Sequence, residues 1–166
     1  MERALSGSDI IRIMRGRVKV LAYPRLRDFD SIDELFRGSH GNVVINYLAT
    51  PEFGHWVCLK KRGRVISFFD SYGSKPDAQL AKLSGITRDA LGERRNLLLE
   101  LFRKVFSEYK FEYNEEVYQR EGRMSCGYWC CHFLMFNGGI NDYQSYLSTL
   151  IVDDYDDYIV KCISKI

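Results

Sequence analysis

A thiol attacks a carbonyl carbon efficiently only as the thiolate, so a nucleophilic cysteine needs surroundings that favour negative charge and a base within reach. Of the five cysteines, Cys58, Cys126, Cys130, Cys131 and Cys162, only Cys126 stands where an apolar helix is expected to begin. Unpaired backbone amides and the helix macrodipole favour an anion there. Among the three histidines, His55 is the candidate base. The apolar runs His55-Trp56-Val57-Cys58-Leu59 and Val65-Ile66-Ser67-Phe68-Phe69 flank Lys61-Arg62-Gly63-Arg64 and read as a β-hairpin. With Arg62-Gly63 as a two-residue turn, positions whose numbers add to 125 face one another, and His55 lies directly across from Asp70. Cross-strand Cβ atoms are about 4.5–5.5 Å apart, which suits an imidazole–carboxylate hydrogen bond. A developing oxyanion also needs donors, and the side-chain amide of Gln119 with the Cys126 backbone N–H would supply them.

Each residue alone also has a structural reading. A cysteine on an apolar helix is commonly a core thiol, which is how Cys58, Cys130, Cys131 and Cys162 are read. His55 alone would serve as a satisfied structural histidine, and Asp70, before Ser-Tyr-Gly, as a turn residue. His40, in Ser-His-Gly, reads as a loop residue, and His132 falls inside the helix. Trp56 reads equally as the wall of a cleft or as core.

The elements that must position these groups follow from the pattern. Ser8-Asp9 opens a short helix that Gly16 stops. Val18–Ala22 and Val43–Leu48 read as strands, and Ser31 caps a helix to Phe36. The hairpin is apolar on both faces, so it should lie inside the sheet with cover on both sides. Residues 93–109 carry a helical period through Leu97, Leu98, Leu101, Phe102, Val105 and Phe106. Phe111 and Tyr113 suggest a further strand leading to Gln119. The helix from Cys126 is apolar almost all round, should be buried centrally, and ends at Asn137-Gly138-Gly139. An amphipathic helix from Asp153 closes the chain.

Composition bounds the answer. The chain has 166 residues, 46% of them hydrophobic, and reads as one domain over residues 1–166 and as a complete small gene product. No run approaches the ~18 apolar residues of a membrane span, and no secretory signal opens the chain. No Cys-x-x-Cys pair is present, so no metal site and no cofactor is expected. An odd number of cysteines, two of them adjacent, is a poor disulfide framework and points to a reducing compartment. The net charge is +2; basic residues crowd the N-terminal part, and Asp153, Asp154, Asp156 and Asp157 read as a solvated acidic face.

Taken together, Gly54-His55-Trp56, then Phe69-Asp70-Ser71-Tyr72-Gly73, then Gln119 seven residues before Cys126-Gly127, resembles the adenain-like cysteine proteases. That clan contains the adenovirus maturation protease and the SUMO and ubiquitin-like deconjugases. The resemblance runs from about Gly54 to Phe136. It implies that His55 is the general base, Asp70 its orienter, Gln119 an oxyanion donor and Cys126 the nucleophile. Cys130-Cys131 followed by Phe133-Leu134 is similar to the adenovirus type. Asp70 departs from that enzyme's glutamate and matches the aspartate of virophage relatives.

The fold so implied is α+β and papain-like, a central helix packed on a mixed sheet with helices around it. The implied function is endoproteolytic processing of viral capsid or core precursor proteins during maturation, with cuts next to small residues such as Gly-Gly or Gly-x and Trp56 in the substrate cleft. Weak contact with DNA or an activating peptide comes with the resemblance, no membrane partner does, and the implied location is the virion and the viral factory in the host cytoplasm. An isopeptidase for a ubiquitin-like modifier uses the same residues and stays open. A catalytically idle binding module is the reading from another class, against which stand four chemically competent side chains.

Overall fold

The computed structural model describes residues 3–166. Its centre is a five-stranded sheet in sequential order: β1 (Lys19–Ala22), β2 (Asn42–Leu48), β3 (Gly54–Arg62), β4 (Val65–Phe69) and β5 (Lys110–Tyr113). The outer pairs β1/β2 and β4/β5 are parallel, and the inner pairs β2/β3 and β3/β4 are antiparallel. Parallel neighbours require crossovers. The first is made by α2 (Ile32–Phe36), capped by Ser31 as expected, and the second by α3 (Gly85–Leu91) and α4 (Leu97–Arg103).

Both faces of the inner strands are buried, because side chains alternate between two cores. Val43, Ile45, Val57, Leu59, Ile66 and Phe68 enter the core that includes α2 and α4. Val44, Trp56, Cys58 and Phe69 enter the opposite core. There they meet α1 (Gly7–Ile13), α5 (Cys126–Met135), α6 (Ile140–Ser148) and α7 (Tyr155–Ser164). α5 is the central helix: eight of its residues, from Cys126 to Leu134, are buried. No helix among the described residues is long and apolar enough to cross a membrane.

Four expectations need correction. The hairpin turns at Gly63-Arg64 rather than Arg62-Gly63, with Gly63 at φ +62°. Arg62 therefore pairs with Val65 and Cys58 with Phe69, so paired numbers add to 127. A two-residue shift leaves every side chain on its own face, since the strand period is two. His55 and Asp70 thereby become diagonal rather than direct neighbours, still within reach of long side chains.

α1 is capped by Ser6, not Ser8-Asp9; Asp9 sits three residues later and completes a capping box. The 93–109 helix shrinks to α4 because distant groups choose its start. Leu97 N–H donates to the Tyr23 hydroxyl at 2.6 Å and Leu99 N–H to Asp77 at 2.9 Å, while Glu93 turns away to accept from Leu48 N–H at 2.6 Å. Finally, the acidic run is not a solvated face throughout: Asp156, on α7, is 1% exposed. α3 and α6 are elements that the sequence pattern did not reveal.

Candidate active site

Cys126 is the first residue of α5 and only 9% exposed. Gly127 follows because a side chain there would press on its neighbours: a Cβ would lie 3.1 Å from Leu5 and 3.2 Å from Trp56. The close approach brings the helix start against β3, where the Trp56 backbone N–H points at the Cys126 sulfur at 3.5 Å. β3 also delivers His55, whose imidazole lies near enough to the Cys126 sulfur to feel its charge. Its Nε2 lies 2.7 Å from Asp70 Oδ1, which leaves Nδ1 to the sulfur. Cysteine, imidazole and carboxylate thus neighbour one another in that order.

The electrostatics follow from that order. Burial opposes a charge on His55, but Asp70 and Cys126 outweigh it and raise the imidazole pKa to about 9. His55 is therefore an imidazolium at neutral pH, a partner for a thiolate rather than a free base. The Tyr72 ring stacks on it at 4.6 Å between centroids. Asp70 is fully buried and held by two further donors: Tyr72 N–H at 2.8 Å to Oδ1 and Gln79 Nε2 at 3.2 Å to Oδ2. Its backbone is held by Asn114. Gly73, at φ +73°, completes the turn after Asp70, and a Cβ there would strike the Glu115 and Glu116 carbonyls at 2.8 Å.

Gln119 is 2% exposed and joins the loops that carry Asp70 and Cys126. Its Oε1 accepts from Ser71 Oγ at 2.6 Å, and its backbone N–H donates to the Ser71 carbonyl at 3.0 Å. Its Nε2 donates to the Arg123 carbonyl at 2.7 Å. That bond uses one of two amide hydrogens, so the amide keeps a donor for another acceptor.

Trp56 is both core and wall. Its Nε1 donates to the Leu5 carbonyl at 2.9 Å, and its ring borders a cavity of about 440 Å³ shared with Cys126, Asn46 and Phe53.

Cys130 and Cys131 are placed for inertness. Cys130 is fully buried and its thiol is pushed well up by burial; Cys131 is pushed to about 12 for the same reason. All five cysteines are free. His132 bonds the Tyr143 hydroxyl at 2.8 Å and is lowered to about 4 by burial, a structural imidazole. His40 sits in a turn at φ +57°. Among the described residues, no cluster of His, Cys, Asp and Glu is arranged to hold a metal ion.

Sequence reasoning missed Asn114, Ser71, Gln79 and Asp156. Ser71 lies in the Asp70 motif without being singled out, the others lie in no motif, and the first three act on the backbone or side chains of Asp70 and Gln119. Asp156, 31 residues beyond Ser125, could have been suspected only as one of four clustered aspartates.

No protein-family model matches the chain. An uncharacterised protein of the Sputnik virophage, V9, is 31% identical over 159 residues, covering 93% of this chain and 86% of its own length. Among solved structures, an ASFV protease aligns over 95% of this chain and 66% of its own, with 14% identity and a TM-score of 0.49. ChlaDub1 of Chlamydia trachomatis aligns over 95% of this chain and 73% of its own, with 18% identity and a TM-score of 0.39.

Proposed function

We propose that this chain, which belongs to the same family as protein V9 of the Sputnik virophage, is a cysteine protease of the adenain-like type with Cys126 as nucleophile. The observation that carries this reading is Cys126 at the start of a buried helix beside a strand whose His55 imidazole is bonded to buried Asp70 and raised to about 9. The imidazolium so held at neutral pH is the partner that a nucleophilic thiolate needs.

The Cys126 thiolate adds to the scissile carbonyl carbon, and the carbonyl π-electrons move onto oxygen. The Cys126 backbone N–H and the spare Gln119 amide hydrogen are the donors for that oxyanion. Collapse expels the amine, which takes its proton from the His55 imidazolium and leaves a thioester on Cys126. Neutral His55 then removes a proton from water as it attacks the thioester, the product acid departs, and the thiolate–imidazolium pair is restored. Asp70 keeps the imidazole oriented and stabilises its charge without accepting the proton.

The substrates in this reading are viral capsid or core precursors, cleaved in the assembling particle or the viral factory. Trp56 walls the cleft beside Cys126, a shape suited to a segment of small residues. Incubation with candidate precursors, with mass spectrometry of the fragments, tests the assignment. Cleavage next to Gly-Gly or Gly-x that disappears in Cys126→Ala is the expected result. Release of the fluorophore from ubiquitin– or SUMO–aminomethylcoumarin, with the precursors left intact, would move the assignment to an isopeptidase. Lack of turnover on all of them by a folded protein with an unreactive Cys126 would overturn it.

A further inference from the structure

The six residues Arg120–Ser125 separate the two expected oxyanion donors, the Gln119 amide and the Cys126 N–H. This loop has no regular structure; Arg120, Glu121, Gly122 and Met124 are exposed, and Gly122 has φ +81°. Exposed irregular chain is a poor frame for donors that must be set to within about 0.5 Å. Yet both ends are anchored to a single group outside the loop. Asp156 Oδ1 accepts from Ser125 Oγ at 2.6 Å and from Trp129 Nε1 at 2.8 Å. Its Oδ2 accepts from the Arg120 backbone N–H at 3.0 Å. One carboxylate therefore holds the residue after Gln119, the residue before Cys126 and the first turn of the nucleophile's helix.

Its neighbours at the start of α7, the N-cap Asp154 and Asp157, also hold the loop. Arg123 bonds Asp157 at 2.7 Å and Asp154 at 3.3 Å, and Arg120 also pairs with Asp154. The Arg123 carbonyl in turn receives the Gln119 amide.

We infer that Asp156 is a positioning residue that sets the spacing between the two oxyanion donors, so that the C-terminal helix governs carbonyl addition at Cys126 although it touches no reacting atom. The inference rests on the proposed mechanism. It extends it by separating two properties of one thiol: nucleophilicity, set by His55, and stabilisation of the tetrahedral oxyanion, set through Asp156.

Two probes of the intact protein divide these properties. Iodoacetamide alkylates a thiolate by displacement of iodide and forms no oxyanion. p-Nitrophenyl acetate acylates it through a tetrahedral oxyanion and releases p-nitrophenolate. In Asp156→Asn the amide oxygen still accepts from Ser125 and Trp129, while its NH2 faces the Arg120 N–H, donor against donor. Acylation of Cys126 should fall by about 10²-fold, as for a misplacement on the 1 Å scale. Alkylation and its pH profile should match the wild type.

Ser125→Ala, which removes one anchor and leaves the carboxylate in place, should give a smaller loss of the same kind and stands in if Asp156→Asn does not fold. Cys126→Ala supplies the blank for both probes. Unchanged acylation per folded molecule, with only a lowered melting temperature, would overturn the inference; so would alkylation falling in parallel with acylation. A wild-type Cys126 no more reactive than free cysteine toward both probes would instead overturn the proposed function.

Discussion

Asn114 brackets the backbone of Asp70: its Oδ1 accepts from the Asp70 N–H at 3.0 Å, and its Nδ2 donates to the Asp70 carbonyl at 2.6 Å. Asp70 lies just past the end of β4, where ladder bonds no longer fix the chain. A side chain 44 residues away completes the two bonds that a neighbouring strand would have made. Asn114→Ala should leave the buried Asp70 N–H unpaired, while the carbonyl keeps the Gly73 N–H at 2.8 Å, at a cost of about 1–3 kcal/mol. A lower melting temperature is expected together with a downward move of the alkaline limb of turnover, because Asp70 then holds His55 less well. Loss of stability with an unmoved limb would show that Asn114 only pins the loop.

The thiols should separate sharply. Iodoacetamide at neutral pH should modify Cys126 first, and Cys126→Ala should abolish both rapid labelling and cleavage. Cys130→Ala and Cys131→Ala should keep substantial activity, since burial raises both thiols and holds them protonated. Peptide mapping after brief alkylation decides the matter.

The pH dependence follows from His55. Its folded pKa, about 9, lies above the unfolded value of about 6.5, so the stabilisation it contributes is fully present below pH ~6.5 and fades as pH rises through about 9. Turnover should therefore show an alkaline limb near pH 9, where His55 loses the proton that the leaving amine needs. Asp70→Asn removes the carboxylate charge, and the limb should move toward neutral pH with turnover reduced but measurable; His55→Ala should remove nearly all turnover. A limb that stays near 9 in Asp70→Asn would mean that another group sets it.

Gln119 both bridges loops and offers an amide hydrogen. Gln119→Ala should lower kcat by ~10²–10³, about 2.7–4 kcal/mol, with KM little changed. Gln119→Glu should be worse, since a carboxylate would face the Arg123 carbonyl and the developing oxyanion together. If the bridging bonds to Ser71 and Arg123 were its whole contribution, Gln119→Ala would lower the melting temperature while single-turnover cleavage by the folded fraction stayed intact.

What was legible in the residues was local and periodic. The β-branched run marked β2 as a strand, the apolar residues on both faces of β3 and β4 marked a hairpin covered on both sides, and the all-round apolar α5 marked the central helix with Cys126 at its start. Even an incorrect turn placed His55 and Asp70 on one face, because an error of two residues cannot move a strand side chain to the other side. Tertiary structure decided whatever depended on a distant partner. α4 begins at Leu97 because Tyr23 and Asp77 meet its first amides, which no count of helical period contains. Asp70 is oriented by Asn114, and the loop before Cys126 is held by Asp156, one aspartate of a run that looked merely solvated. Periodicity records which way a side chain points relative to its own backbone. The donor or acceptor that waits for it across 31 or 44 residues is selected only when the sheet closes over α5 and α7 packs against it.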